Sequence, residues 1–186
     1  LYTTGLAVLV NLQTFDVDLK KCAEPETITH HHVARLKDTK QTRICAHMRL
    51  VDRLGRVMHL FNTHLSLPSP FAKDFWTVKD KMGFGINQLE EVKSLAKFVQ
   101  KSAGEEPFIV CGDFNSPPAS PVYKYLTHEL KWVAAQAQVG QIDGNAIRGF
   151  ATAGFMHLRM HLDHIFSGGS LTWMAVSYTH LTLPTN

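Results

Sequence analysis

Phe108-Ile109-Val110-Cys111-Gly112-Asp113-Phe114-Asn115-Ser116-Pro117-Pro118 is the stretch on which the reading of this chain turns. Four consecutive apolar residues bounded by turn-forming ones read as a buried strand. Gly112 then reads as a tight turn ending that strand, which sets the next side chains at the rim of a sheet. The first two polar residues there are a carboxylate, Asp113, and a carboxamide, Asn115. A carboxylate in that position can accept a proton from water or help hold a divalent cation. A carboxamide can donate to a phosphate oxygen without adding negative charge. Asp and Asn also follow strands for structural reasons alone, because they cap helices and make turns. By itself the segment leaves both uses open.

Two other segments repeat the arrangement. His64 lies in Phe61-Asn62-Thr63-His64-Leu65-Ser66-Leu67-Pro68, and Asp163 lies in Met160-His161-Leu162-Asp163-His164-Ile165-Phe166. Each places polar residues at the edge of an apolar stretch. The set and its order, N-T-H-L, then G-D-F-N-S, then L-D-H-I-F, resemble the endonuclease/exonuclease/phosphatase superfamily, over a span from about Gly5 to Trp173. The resemblance implies an α/β fold, a four-layer sandwich of two facing mixed sheets flanked by helices, incomplete in this chain. It implies hydrolysis of a phosphate ester by in-line attack of water, with Mg²⁺ or Mn²⁺ as cofactor. Such a cation takes oxygen ligands, keeps several waters and so needs few protein groups.

The residue roles implied by the resemblance fall on four positions. Asp113 matches the aspartate that activates or orients the attacking water near the metal. Asn115 matches the asparagine that holds the nucleophile and a phosphate oxygen, so Asp113 and Asn115 are the expected metal-site residues. His64 matches the histidine that contacts the scissile phosphate as donor or acid. Asp163 matches the aspartate that orients a catalytic histidine further along the chain. His164 is adjacent to Asp163, but neighbours on a strand point to opposite faces, so it is expected to turn away from the site. The family's main glutamate ligand, in a Gln-Glu pair after the first strand, has no counterpart here, and neither has its later Ser-Asp-His segment. Asn11 closes an apolar run but is given no metal role. Residues 1–175 are therefore expected to be a partial domain, truncated at both ends and inactive or nearly so alone, because residues that act as a unit contribute non-additively.

The substrate class stays open between nucleic acid, phospholipid head groups and soluble phosphate esters. A monomer is expected. The alternative is a non-catalytic relative that binds phosphorylated ligands or protein partners. A zinc hydrolase built on His157, His161, Asp163 and His164 needs a helix for the 157/161 pair and a strand for 162–166, which one geometry does not serve.

Composition sets the outer bounds. A chain of 186 residues with 45% hydrophobic residues suffices for one domain with a real core. No apolar run reaches the roughly 18 residues that cross a bilayer. The net charge of +3, with scattered Lys and Arg, leans away from a processive nuclease. Cys22, Cys45 and Cys111 have no metal-like spacing, and Cys45 and Cys111 sit in apolar runs as expected buried free thiols. Localisation is left open.

Along the chain, Gly5–Asn11 reads as a buried strand and 16–40 as a connection, with His30-His31-His32 in a solvated loop. Thr42–Val51 alternates with Ile44, Ala46, Met48 and Leu50 on one face, and Arg56–Leu65 returns after the turn Asp52–Gly55 as the second strand of a hairpin. Apolar groups on both faces of the return strand imply cover on both sides. The loop from Pro68 to Gly85 carries Phe71, Phe75 and Trp76 and is where substrate discrimination would lie. Ile86–Lys101 has helical spacing, with Ile86, Leu89, Val92, Leu95, Ala96 and Val99 inward and Glu90, Glu91, Lys93 and Lys97 outside. Ser120-Pro121 starts a second helix, with Val122, Tyr125 and Leu126 inward. The tail 176–186 reads as translated cloning adaptor, so His180 is given no role.

Overall fold

The computed structural model describes residues 5–29, 42–67, 86–144, 150–155 and 158–175. The triplet His30–His32, the loop 68–85 with Phe71, Phe75 and Trp76, His157 and the tail 176–186 lie outside the described residues.

Two short strands, β1 (Phe15–Val17) and β2 (Glu26–Thr27), lead into the expected hairpin of β3 (Ile44–Asp52) and β4 (Val57–His64). The hairpin pairs antiparallel from Cys45↔Thr63 to Val51↔Val57. Its turn is tied by Asp52, whose Oδ1 accepts from the amides of Leu54 at 2.8 Å and Arg56 at 2.9 Å. Helix α1 (Ile86–Ala103) then carries the chain back, and Gly104 ends it with a φ of 56°. That crossover lets β5 (Phe108–Asp113) lie parallel to β4. The remaining elements are α2 (Pro121–Lys124), continued by a π turn over Tyr125–Glu129, β6 (Val133–Ala134), α3 (Ala135–Gln138), β7 (Ala153–Phe155), β8 (Leu158–Met160) and β9 (Asp163–Gly168). Ser120 caps α2, its Oγ accepting from the Tyr123 amide at 3.2 Å.

The result is a mixed seven-stranded sheet in the order β1-β3-β4-β5-β9-β6, with β2 also paired to β3, and a separate β7-β8 ribbon. One face is the core. Cys45, Phe61, Val110 and Phe166 bury there against Val92, Leu95, Phe98 and Val99 of α1. Each such side chain contributes roughly 1.5–3 kcal/mol by leaving water. Among the described residues no helix is long and apolar enough to cross a membrane.

Three sequence expectations change. Gly5–Asn11 forms no strand, and Leu9 is 98% exposed. The apolar pattern is present, but it is paired with no described strand; Asn62 Nδ2 donates to the Ala7 carbonyl at 3.1 Å and the Phe15 amide to the Asn11 carbonyl at 3.0 Å. Cover of the hairpin is uneven: Cys45, His47, His59, Phe61 and Thr63 are buried on one face, whereas on the other Leu50 is buried but Ile44, Ala46, Met48, Leu60 and Asn62 are only half-buried. Glu91, expected on the outer side of α1, is fully buried. All three cysteines are free, with Cys45 buried and Cys22 and Cys111 half-buried, and burial pushes the Cys45 thiol up to about 12.

Candidate active site

The registers of β4, β5 and β9 determine what meets at the end of the sheet. His64 pairs with Asp113, and Asp113 with Asp163. Residues directly opposite on adjacent strands point to the same face. His64, Asp113 and Asp163 therefore stand abreast on one rung, on the half-open face, at the C-terminal ends of two parallel strands. His64 Nε2 lies 3.5 Å from Asp113 Oδ2, and both side chains keep contact with solvent.

Gly112 makes the rung possible, though not as the turn its sequence suggests. The strand continues through Asp113, and Gly112 sits within it at φ 147°. A Cβ there would lie 1.9 Å from the Thr63 carbonyl oxygen. Only glycine lets β4 and β5 approach this closely.

Electrostatics push the rung towards lower charge. Burial raises the Asp113 carboxyl above the usual range and the nearby Asp163 charge raises it further, against the Asn115 amide, His64 and Arg43. Burial lowers His64, outweighing the two carboxylates, and Arg43 acts in the same direction. Two carboxyl groups opposite each other on one half-open face supply oxygen donors of the kind an oxygen-seeking cation takes. Among the described residues no group of three or more His, Cys, Asp or Glu forms a metal cage.

Asn115 follows in a left-handed turn at φ 46°. Its amide donates to Asp113 Oδ1 at 2.8 Å, and its side-chain Nδ2 donates to the Leu65 carbonyl at 2.8 Å. The Leu65 amide in turn donates to the Asp113 carbonyl at 2.9 Å. These bonds join the residues after β4 to those after β5; His64, Asp113 and Asp163 share the rung, whereas Asn115 is 2% exposed and meets Asp113 through its backbone amide while its side chain turns to Leu65. His164 turns to the buried face, as strand alternation requires, and its Nε2 lies 2.7 Å from the Ser116 carbonyl. Asp163 and His164 thus lie on opposite faces, which separates the ligands a zinc reading needs.

Some supporting residues escaped the sequence reading. Glu91 accepts from the Ser66 amide at 2.8 Å and from Ser66 Oγ at 2.6 Å, and Gln88 Nε2 donates to the Ser66 carbonyl at 3.1 Å. Helix α1 therefore holds the segment just after His64. The available signal was the pair Gln88 and Glu91, three apart on the same side as the apolar stripe, where a polar group needs a partner. Arg43 is buried and close enough for its charge to act on both Glu91 and Asp113. Its sequence neighbourhood, Lys37–Arg43, looks only like a basic run.

The mixed sheet of this α/β fold thus ends in a His64/Asp113/Asp163 rung backed by the Asn115 turn. The chain belongs to the Endonuclease/Exonuclease/phosphatase family, whose model matches residues 91–184. Local sequence matches include "Carbon catabolite repressor protein 4 homolog 3" of Arabidopsis thaliana, 42% identical over 41 residues, 22% of this chain and 9% of that protein. Nocturnin of Drosophila melanogaster is 44% identical over 34 residues, 18% of this chain and 5% of that protein. Among solved structures, the human Nocturnin catalytic domain with bound sulfate has a TM-score of 0.54 at 20% identity, covering 84% of this chain and 49% of that one. A mannosyl-6-phosphatase of Bacteroides thetaiotaomicron gives 0.57 at 16%, covering 86% and 55%. ANGEL2, a 2',3'-cyclic phosphatase, gives 0.54 at 12%, covering 86% and 56%. The chain spans about half the length of these solved structures, and at these identities the likeness concerns the fold.

Proposed function

We propose that this chain carries the His64/Asp113/Asn115/Asp163 part of a divalent-metal-dependent phosphoesterase site. The observation that carries the reading is the rung itself, with three polar side chains from β4, β5 and β9 abreast on one half-open face. Asp113, with Asn115, would hold Mg²⁺ or Mn²⁺, and the cation would supply neutralisation of phosphate oxygens. Asp113 takes the proton of the attacking water or fixes its direction. Asn115 holds a phosphate oxygen or the water through the amide hydrogen and carbonyl that its bond to Leu65 leaves over. His64, exposed enough to reach a ligand, contacts the scissile phosphate as donor. Asp163, beside Asp113, fixes a further group of the site.

The half-buried apolar residues Ala46, Met48, Leu60 and Ile109 support a second sheet packed on the same face, completing a four-layer sandwich. On this reading the 186-residue chain alone turns over phosphodiesters at or near background, and the substrate of the whole protein is a nucleic acid, a phospholipid head group or a soluble phosphate ester. The test pairs two measurements on the purified chain. Mn²⁺ binding should weaken about tenfold or more in Asp113→Asn, and hydrolysis of bis(p-nitrophenyl) phosphate with Mg²⁺ should be barely detectable. Turnover that is lost in Asp113→Ala would establish the phosphoesterase and overturn the inactivity of the chain. Mn²⁺ binding that is absent, or indifferent to Asp113, would overturn the functional reading.

A further inference from the structure

Behind the rung, on the buried face, lie polar side chains that the site does not use. His164 is 2% exposed, and its Nε2 meets the Ser116 carbonyl at 2.7 Å. A carbonyl only accepts, so Nε2 carries the hydrogen and Nδ1 is left as a lone pair. His161 is equally buried, and its Nδ1 meets the Phe150 carbonyl at 2.8 Å, which leaves its Nε2 as the lone pair. The two rings lie 4.8 Å apart, and Tyr123 packs against His164 at 5.3 Å. His164 Nδ1, His161 Nε2, Ser116 Oγ and Tyr123 Oη are all buried with no hydrogen-bond partner among the described residues. Buried polar groups of this kind are costly unless they are satisfied, which makes the one bond His164 does form the informative one.

We propose that His164 is a positioning residue for the 113–116 loop: its Nε2–H clamps the Ser116 carbonyl and so fixes the turn that carries Asn115. The clamp acts one residue beyond the left-handed Asn115. It is the tie that comes from the face of β9 opposite Asp163, whereas the Phe114 amide is held at 2.9 Å by the Leu162 carbonyl. One strand therefore presents a site residue on one face and the support of the facing loop on the other. The metal-binding consequence rests on the phosphoesterase reading given above; the loop geometry does not.

Two substitutions separate the donor from the volume. His164→Phe keeps a ring without the donor, and His164→Gln keeps a donor near the Nε2 position. Amide hydrogen exchange at Phe114 and Asn115 should quicken about tenfold in His164→Phe and return to within about threefold of wild type in His164→Gln. Mn²⁺ affinity should follow the same order, with a loss of about 10-fold in His164→Phe. Nitrogen NMR of the wild-type imidazole should show hydrogen on Nε2 alone. Exchange in His164→Phe equal to wild type, or hydrogen on Nδ1, would overturn the proposal. If His164→Phe fails to fold, the wild-type tautomer and the His164→Gln exchange rates still decide it. If wild type binds no Mn²⁺, the phosphoesterase reading fails while exchange and tautomer continue to report on the clamp.

Discussion

Replacing Gly112 by alanine would put a methyl carbon 1.9 Å from the Thr63 carbonyl oxygen and 2.9 Å from its carbonyl carbon. Ordinary contact needs about 1.5 Å more, and the obstacle is backbone in a paired strand, so no side-chain rotation relieves it. At φ 147° the residue is also in a region that L side chains rarely adopt. Backbone strain of this kind costs roughly 1–3 kcal/mol. Forcing two packed elements apart costs roughly 1–3 kcal/mol more. A total near 4 kcal/mol is a large part of the roughly 5–15 kcal/mol that holds a domain folded. For a chain of this size it corresponds to a melting-point drop of roughly 8–16 °C. Gly55→Ala is the matched control, because Gly55 has φ 77° but nothing within 4 Å of an added Cβ. That variant meets backbone strain alone, about 1–2 kcal/mol. Thermal unfolding of the two variants side by side isolates the close approach. A Gly112→Ala melting point within about 2 °C of Gly55→Ala would refute the argument that strand proximity sets the rung.

Removal of the buried Glu91 carboxylate in Glu91→Ala should cost about 3 kcal/mol in urea unfolding, with Glu91→Gln intermediate because one acceptor remains for Ser66. Asn115→Asp should lower the urea midpoint more than Asn115→Gly, since a carboxylate would face the Leu65 carbonyl, whereas glycine relieves the left-handed backbone while losing the bond. Ser120→Ala should cost about 1 kcal/mol through the lost cap on α2. Acid should destabilise the chain through His47, which burial, then the neighbouring His59 and Arg49, lowers to about 4. The unfolded chain binds a proton near pH 6.5 that folded His47 refuses, so this contribution is complete above about 6.5 and is lost as pH falls towards about 4. The loss should be smaller in His47→Asn, which keeps an acceptor for the Ala23 amide, and equal wild-type urea midpoints at about pH 7 and 4.5 would contradict it.

The hairpin, α1, β5 and β9 were legible because their apolar periods are strong and their turns carry the right residues. That His64, Asp113 and Asp163 stand at strand ends was legible because each polar residue there sits beside an apolar run. Gly5–Asn11 was not, since a continuous apolar run states what a segment can bury and not which neighbour it will find. Glu91 was misplaced for a related reason: charge argues for solvent unless a buried partner is known, and Ser66 lies 25 residues away. The role of Gly112 depends on the distance between two strands, which no local pattern contains. His161 and His164 were considered together only as zinc ligands; the contact of His164 with Ser116 is a product of the β5–β9 register.

That register also acts as a gauge. Side chains alternate along β9, so a slip of one residue against β5 would carry Asp163 into the core and swing His164 out beside Asp113. The same slip would take the clamp from Ser116 and place a second imidazole on the far side of Asp113 from His64. A single insertion or deletion in the connection between β8 and β9 would thus exchange the front of the site for its back, with the composition of the strand unchanged. Loop-length changes at 161–162 are the most economical way to invert the chemistry of this sheet edge, and substitutions elsewhere in the fold would not reproduce them.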